Sequence, residues 1–350
     1  MSRIAVGISG GVDSAVVVHL LQQAGHEVVG IHLSLTPNTA LNQQTAEDAR
    51  IVAEHFGIEF HVVDARESFE KNVIVPFAQA YIHGQTPNPC VRCNAYIKFG
   101  ALWQEAQRLG CSHLATGHYA RIEHNEAHHA LKNAKDPKKD QSYFLWSIPA
   151  SVLPHVLFPL GDFLKTEVRD IAATLGLPTA SKRDSQEICF VPDDDYIAFL
   201  NSYCPDKLPQ KGHFINEEET ILGTHQGAWR YTIGQRRGLG LALGYPAYVI
   251  DLNSKNNTVT VGHDEALWHN ELIANAVNFH TEASFEGDAL IKIRSRDQGT
   301  MGHWSYNGEF LTVHFDQPVR AITPGQSVVL YNNSRIIGGG IILQALTTSL

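Results

Sequence analysis

Two groups of residues in this chain have the types and spacing to do chemistry. The first is Gly7-Ile8-Ser9-Gly10-Gly11-Val12-Asp13-Ser14, set between the apolar run Ile4-Ala5-Val6 and the helical pattern Ala15 to Ala24. Adjacent glycines let backbone N–H groups turn toward an anion with no Cβ in the way. The helix that follows points the positive end of its dipole at the same spot, and Ser9 and Ser14 add hydroxyl donors. Strand, glycine turn and helix in that order make a phosphate cradle. No lysine follows the glycines, so this is not a Walker loop, and the spacing departs from G-x-G-x-x-G. The second group is sulfur. Cys90 and Cys93 form a C-x-x-C, Cys189 stands in Ile188-Cys189-Phe190-Val191, and Cys111 and Cys204 complete the five. An odd count forms no paired framework and leaves free thiol, metal ligand or catalyst as roles. A zinc site joining the C-x-x-C to Cys111 and His113 is disfavoured by the helix expected over Ile97 to Leu109, which separates them by about 20 Å at roughly 1.5 Å per residue. His124, His128 and His129 lie in a polar, hairpin-like stretch and read as solvated. The apolar flanks of Cys189 suit a buried structural thiol as well as a reactive one.

The elements that must hold these groups alternate. Glu27 to Ser34, Glu59 to Asp64 and Cys111 to Thr116 read as strands, Thr45 to Phe56 as a helix closed by Gly57, and Lys165 to Leu175 as an amphipathic helix stopped by Gly176 and Pro178. This implies an α/β domain with a parallel sheet covered on both faces and its working loops at the strands' carboxyl ends. A helical stretch from Glu67 to Tyr81 leads into a segment where Pro87 and Pro89 are expected to forbid helix, with Cys93 just ahead of a helix that starts near Ile97. From about residue 206 the chain turns β-rich, with Trp229 to Ile233, Ala247 to Leu252, Thr258 to Val261, Ala289 to Arg296, Phe310 to Phe315 and Ser327 to Tyr331 as strands. The last of these form a small barrel. The expected domains are 1–205, 206–270 and 271–350. Arg294 and Arg296 would share one face of their strand, with Arg236 and Arg237 extending a basic patch. A net charge of −9 excludes a protein coated in basic surface, so any nucleic-acid contact must be local. No apolar run reaches membrane-spanning length, which leads to the expectation of a soluble, cytoplasmic chain with no membrane partner.

The Gly7 to Ser14 block resembles the loop of the PP-loop ATP pyrophosphatases, adenine nucleotide α-hydrolase-like enzymes that cleave ATP between the α and β phosphates. Five further segments follow in order: Thr86-Pro87-Asn88-Pro89-x-x-x-Cys93-Asn94, Ala115 to Arg121, Lys139-Asp140-Gln141-Ser142, Asp184-Ser185 through Cys189-Phe190, and Tyr231 to Arg236. Together they cover essentially the whole chain, which resembles the tRNA-specific 2-thiouridylases. The resemblance implies transfer of AMP to the C2 oxygen of a wobble uridine, followed by sulfur transfer from a cysteine persulfide to give 2-thiouridine, AMP and pyrophosphate.

By that resemblance Gly7, Ile8, Ser9, Gly10, Gly11, Val12, Asp13 and Ser14 bind ATP, with Asp13 as a Mg²⁺ carboxylate, and Leu33 and Gly117 hold the adenosine. Cys189 carries the persulfide and Cys93 is the nucleophile that resolves it, its thiolate favoured by the expected helix start. The tRNA contacts implied are Asn88, Pro89 and Cys90 beside the target base, His118, Lys139, Asp140, Gln141, Arg294, Ser295 and Gln326. The partners implied are the anticodon loop of tRNA and a sulfur donor, either a persulfide relay protein or a cysteine desulfurase. In a common form of the family motif an Asp stands where Cys90 stands here. Cys90, Cys93 and Cys189 therefore offer an alternative, a [4Fe-4S] cluster with one iron open to sulfur; the persulfide route is the simpler chemistry and needs no cofactor. Competing readings are another PP-loop ligase, amidating or lysine-ligating, and a nucleotide-gated RNA-binding module.

Overall fold

The computed structural model describes residues 1–36, 39–124, 129–177, 188–280 and 285–346. His128, Pro178 and Asp184-Ser185 lie outside them. The strand Arg3–Gly7 is the middle of a five-stranded parallel sheet, ordered Glu59–Asp64, Glu27–Ser34, Arg3–Gly7, His113–Ala115, Val156–Leu157. Ile4, Ala5 and Val6 are all buried, because helices cover both faces. That explains a continuous apolar run instead of an alternating one. Ile4 and Val6 pack with Val16, Val17 and Val52 on one face, while Ala5 packs with Phe99, Leu102 and Trp103 on the other.

From the central strand the chain winds outward through Glu27–Ser34 to Glu59–Asp64, then returns to pair His113–Ala115 on the opposite side. The loops leaving Gly7 and Ala115 therefore part at a topological switch point, the place where such sheets open a ligand crevice.

A second sheet orders Tyr248–Asn253, Thr258–Gly262, Gly212–Ile215 and Ile221–His225 around Phe214, Val249, Val259 and Val261. The third is a closed six-stranded barrel: Trp268–Phe279, Leu311–Arg320, Thr300–Tyr306, Glu286–Lys292, Ser327–Asn332 and Arg335–Leu346, the last pairing back to the first. The hairpin Arg121–His124 and His129–Lys132 of the first domain adds to the barrel through Lys132 and Arg335. Buried hydrogen bonds fix this docking: Trp146 Nε1 donates to Ser327 Oγ at 2.9 Å and Tyr143 Oη to the Ser327 carbonyl at 2.8 Å.

Three expectations are corrected. Trp229 to Ile233 is no strand: Ala228–Arg230 forms a 3₁₀ turn and Trp229 is buried against the Phe69 and Phe77 cluster. The barrel strand that was to carry Arg294 and Arg296 ends at Lys292. The segment with two prolines is helical from Pro89 onward, because a proline in the first helical position gives up only an N–H that has no intrahelical partner.

Candidate active site: a phosphate loop and three thiols

The glycine loop has the form its sequence demands. Gly10 adopts φ +73°, and a Cβ there would lie 2.5 Å from Asp48 Cβ, so only glycine fits. No side chain caps the helix Val12–Gln23 that starts after Gly11, which leaves its first-turn N–H groups for a bound anion. Ser14 is buried and braces the loop, its Oγ donating to the Gly11 carbonyl at 3.1 Å and accepting from the Ser9 N–H at 3.4 Å. Ser9 itself is exposed. The Ile8 carbonyl lies 2.9 Å from Nδ1 of the buried His32, and Leu33 follows at the end of the neighbouring strand.

Asp13 is engaged by side chains remote in sequence. Lys165 Nζ donates to Oδ1 and Oδ2 at 2.7 and 2.8 Å, and Tyr119 Oη donates to Oδ1 at 3.1 Å. Gly117 abuts the same residue, since a Cβ on it would meet Asp13 Cβ at 3.0 Å. Lys165 supplies the cation that the loop's own sequence lacks.

The three thiols gather within reach of one another and of Lys98. Cys93 lies inside an apolar cluster with Phe77, Ile97 and Phe190, while Cys90 and Cys189 are exposed. Burial pushes the Cys93 thiol up, with Cys90 adding to the rise. Burial also raises Cys90 and, with the Cys93 and Cys90 thiols beside it, takes Cys189 up to about 12. The ammonium of Lys98 pulls all three down. The expected thiolate at a helix start is thus overturned for Cys93. The helix begins four residues earlier, with Asn88 capping the Cys90 N–H at 3.2 Å, and burial outweighs the dipole. The cluster alternative does not fit either: among the described residues no three His, Cys, Asp or Glu side chains are placed to hold a metal ion. Cys111 sits in the core at the other end of the strand that leads to Gly117, and Cys204 packs beside the Phe190 cluster.

His118 links the thiols to the crevice. It is buried, with Lys98 Nζ 3.0 Å from Nε2 and Thr116 Oγ1 2.7 Å from Nδ1. An ammonium can only donate, so Nε2 accepts and the ring proton is assigned to Nδ1. Burial, and after it Lys98, holds this histidine well below its ordinary range, so it is neutral. Gln141 exchanges two hydrogen bonds with the backbone of Tyr119 at 2.8 and 2.9 Å. Asp140 accepts from Asn133 Nδ2, the Ala134 N–H and Ser142 Oγ at 2.7 to 2.8 Å. Both shape the segment that carries Lys139, which is half-buried.

All three domains meet at a second feature. A cavity of about 320 Å³ is lined by Thr86, Thr232 to Gln235, Arg294, Thr323 and Gln326. Gln326 Nε2 donates to the Thr86 carbonyl at 2.7 Å, Thr86 Oγ1 to Thr232 Oγ1 at 3.2 Å, and Arg294 Nη2 to the Ala321 carbonyl at 2.6 Å. Ser295 is exposed beside it. From Thr86 the chain reaches Asn88, Pro89 and Cys90 within four residues, so this cavity and the thiols are joined by a short, rigid segment.

Family models described as a tRNA methyl transferase HUP domain, a tRNA methyl transferase PRC-barrel domain and an aminomethyltransferase β-barrel domain match residues 2–193, 197–263 and 269–342. Among solved structures, a 4-thiouridine synthetase–RNA complex with bound ATP is similar at TM-score 0.36 and 18% identity, over 59% of this chain and 51% of that one. The tRNA-specific 2-thiouridylase MnmA of Clostridium acetobutylicum is 40% identical, with 97% of this chain and 99% of that protein covered. That of Heliobacterium modesticaldum is 43% identical, with 99% and 94% covered. The chain belongs to the tRNA-specific 2-thiouridylase family.

Within this thiouridylase, Thr116 and Tyr119 stand in a segment that motif reading used without giving them a role, and Lys98 and Lys165 stand in none of its motifs. One signal for Lys165 was available. It is the first residue of the helix Lys165–Thr174, where a cation meets the positive end of the dipole and is disfavoured unless something anionic holds it.

Proposed function

We propose that this chain is an ATP-dependent tRNA-uridine 2-sulfurtransferase acting on the C2 position of a wobble uridine. The observation that carries the reading is the joining of two chemistries through one short path. Asp13 and the glycine loop touch Gly117, and the neighbouring Thr116 and His118 lead to Lys98 and the thiols. Two of the three family descriptions speak of methyl transfer and the third of aminomethyl transfer, but a phosphate cradle beside paired thiols suits activation by AMP and delivery of sulfur.

ATP is a substrate here. The Gly7 to Ser14 loop fits its phosphates, and Leu33 and Gly117 flank the adenosine. Mg²⁺, when bound, neutralises charge on the departing pyrophosphate. Asp13 is the carboxylate suited to it, and since Lys165 now bonds both its oxygens, that lysine would be released toward the phosphates.

The sulfur steps balance as follows. The outer sulfur of a Cys189 persulfide, supplied by a donor protein, attacks C2, and AMP leaves with the C2 oxygen and the bonding pair. The Cys93 thiolate then attacks Cys189 Sγ. A Cys93–Cys189 disulfide forms, and the electrons of the broken S–S bond pass to the sulfur now on C2. N3, which lost its proton on activation, takes one back. A dithiol reductant returns both cysteines to thiols with two electrons. The anticodon loop is held from the cavity that Arg294 and Gln326 line, since chemistry on a base requires it to leave the stack.

The test is mass spectrometry of tRNA nucleosides after incubation with ATP, a persulfide source and the protein. 2-Thiouridine should form with the wild-type chain and be absent with Cys93→Ser or Cys189→Ser. Formation that survives loss of both cysteines, or pyrophosphate release with no sulfur incorporated, would overturn the reading.

A further inference from the structure

Lys98 belongs to no motif that the proposed reaction uses, yet its position is specified. It lies on Cys93–Ala101, a nine-residue π-helix whose hydrogen bonds run from residue i to i+5, as at its end where the Leu102 N–H bonds the Ile97 carbonyl. In an α-helix of 3.6 residues per turn, a step of five residues turns a side chain by about 140° and would put Lys98 on the far side from Cys93. The wider i to i+5 turn takes more residues per turn, so the same step carries Lys98 back toward the Cys93 side. Such widened turns are rare and frequently mark functional sites.

A second constraint fixes the head group. Lys98 Nζ lies 3.0 Å from Nε2 of His118, and Thr116 Oγ1 holds that ring from its other nitrogen at 2.7 Å. A neutral imidazole accepts a hydrogen bond from the ammonium without neutralising it, whereas a carboxylate would have consumed its charge. Among the described residues, the titratable groups facing Lys98 are His118 from the loop after the fourth strand, Cys90 and Cys93 from its own helix, and Cys189. None of these is an acid residue that would cancel the charge.

Building on the sulfurtransferase reading, we propose that Lys98 is a positioning residue for sulfur transfer. Aimed by the π-turn and by His118, its ammonium stabilises anionic sulfur on Cys93 and on the Cys189 persulfide. The pull of Lys98 on all three thiols, against burial, agrees with this. The role also accounts for a buried nucleophile: Cys93 lies inside an apolar cluster, and one cation offsets the cost of making a thiolate there.

The experiment needs neither ATP nor tRNA. Iodoacetamide alkylation of each cysteine in the full chain is followed by peptide mass spectrometry from pH 6 to 10, for wild type, Lys98→Met and Lys98→Arg. Lys98→Met should lower the alkylation rates of Cys93 and Cys189 across the whole range, with their rise still incomplete at pH 10. It should slow their alkylation about three- to fourfold at pH 8, because a tenfold loss of thiolate is partly offset by the greater nucleophilicity of a more basic sulfur. Lys98→Arg should restore most of the rate. Cys204, on which Lys207 acts, should be unchanged in all three and so reports on folding. Alkylation of Lys98→Met at wild-type rates would overturn the proposal, and so would Lys98→Arg behaving like Lys98→Met while Cys204 is unaffected. Neither result would touch the sulfurtransferase reading, which stands or falls on 2-thiouridine formation by the wild-type chain.

Discussion

Lys165 Nζ grips both carboxylate oxygens of Asp13, at 2.7 and 2.8 Å, across 152 residues of sequence. The glycine loop therefore has its lysine after all, delivered from the start of a later helix instead of from the loop itself. Lys165 is buried and Asp13 only partly exposed; under the proposed reaction the pair is expected to trade partners when phosphates arrive, Lys165 to the phosphates and Asp13 to a metal.

Asp13→Asn and Lys165→Met are each expected to cut pyrophosphate release by about a hundredfold or more, the scale of losing one preorganised charge at a reacting centre. tRNA affinity should hardly change, since the cavity at Arg294 is built from other elements. The two act as one unit, so the double variant should be no slower than the slower single. Affinity measured by filter binding that falls as steeply as pyrophosphate release would refute this separation of roles.

Arg294 is expected to contribute one phosphate contact from the three-domain cavity. Its Nη2 is anchored on the Ala321 carbonyl at 2.6 Å, which fixes the guanidinium at low entropic cost. tRNA affinity should fall with added salt, and Arg294→Ala should flatten the log–log slope by about one unit. An unchanged slope would reduce Arg294 to a structural brace between strands.

What could be read from sequence follows from how local each signal is. The strands Glu27–Ser34 and Glu59–Asp64 are found where apolar runs between turn residues placed them. The glycine loop was legible because only glycine meets its backbone demands. Pro89 misled because proline breaks a helix interior but suits its first residue. Lys98 was hidden because helical periodicity assumes 3.6 residues per turn, and the π-turn breaks that assumption where the site needs it. Lys165 and the barrel's annexed hairpin at Lys132 and Arg335 depend on contacts between distant segments, which no window of local sequence carries.

His280 gives a pH prediction with a definite sign. It is buried, its Nε2 donates to the Ile148 carbonyl at 3.1 Å, and burial lowers its pKa from 6.5 to about 4. The unfolded chain therefore binds a proton that the native chain refuses between those values. The stability it contributes is present above pH 6.5 and is lost as pH falls through about 4, at about 1.4 kcal/mol per pH unit. His118 acts in the same direction. Urea unfolding at pH 7 and pH 4.5 should show this loss, and His280→Gln, which keeps an N–H for Ile148, should reduce the slope by about one proton. Equal slopes in the two proteins would count against a neutral, buried His280.

The last prediction concerns Cys90, where a common form of the family motif has Asp. Cys90 occupies the first turn of the Pro89 helix, its N–H held by Asn88 Oδ1 at 3.2 Å, and its side chain is exposed. Burial by its surroundings still raises the thiol, so at neutral pH it is uncharged, whereas an Asp there titrates near 3.9 and is anionic. A helix start favours that anion, and the residue's exposure leaves room for a carboxylate. Cys90→Asp is therefore expected to retain or improve turnover, while Cys93→Ser and Cys189→Ser abolish it. The same experiment separates the two fates weighed for this third thiol. As a spare beside Cys93 it is dispensable, and protein purified without oxygen should be colourless, iron-free and fully active. As a cluster ligand it is not: brown protein with iron near four per chain, activity lost on chelation and a dead Cys90→Asp variant would refute the persulfide route. The first outcome is favoured because, among the described residues, no three His, Cys, Asp or Glu side chains are placed to hold a metal ion.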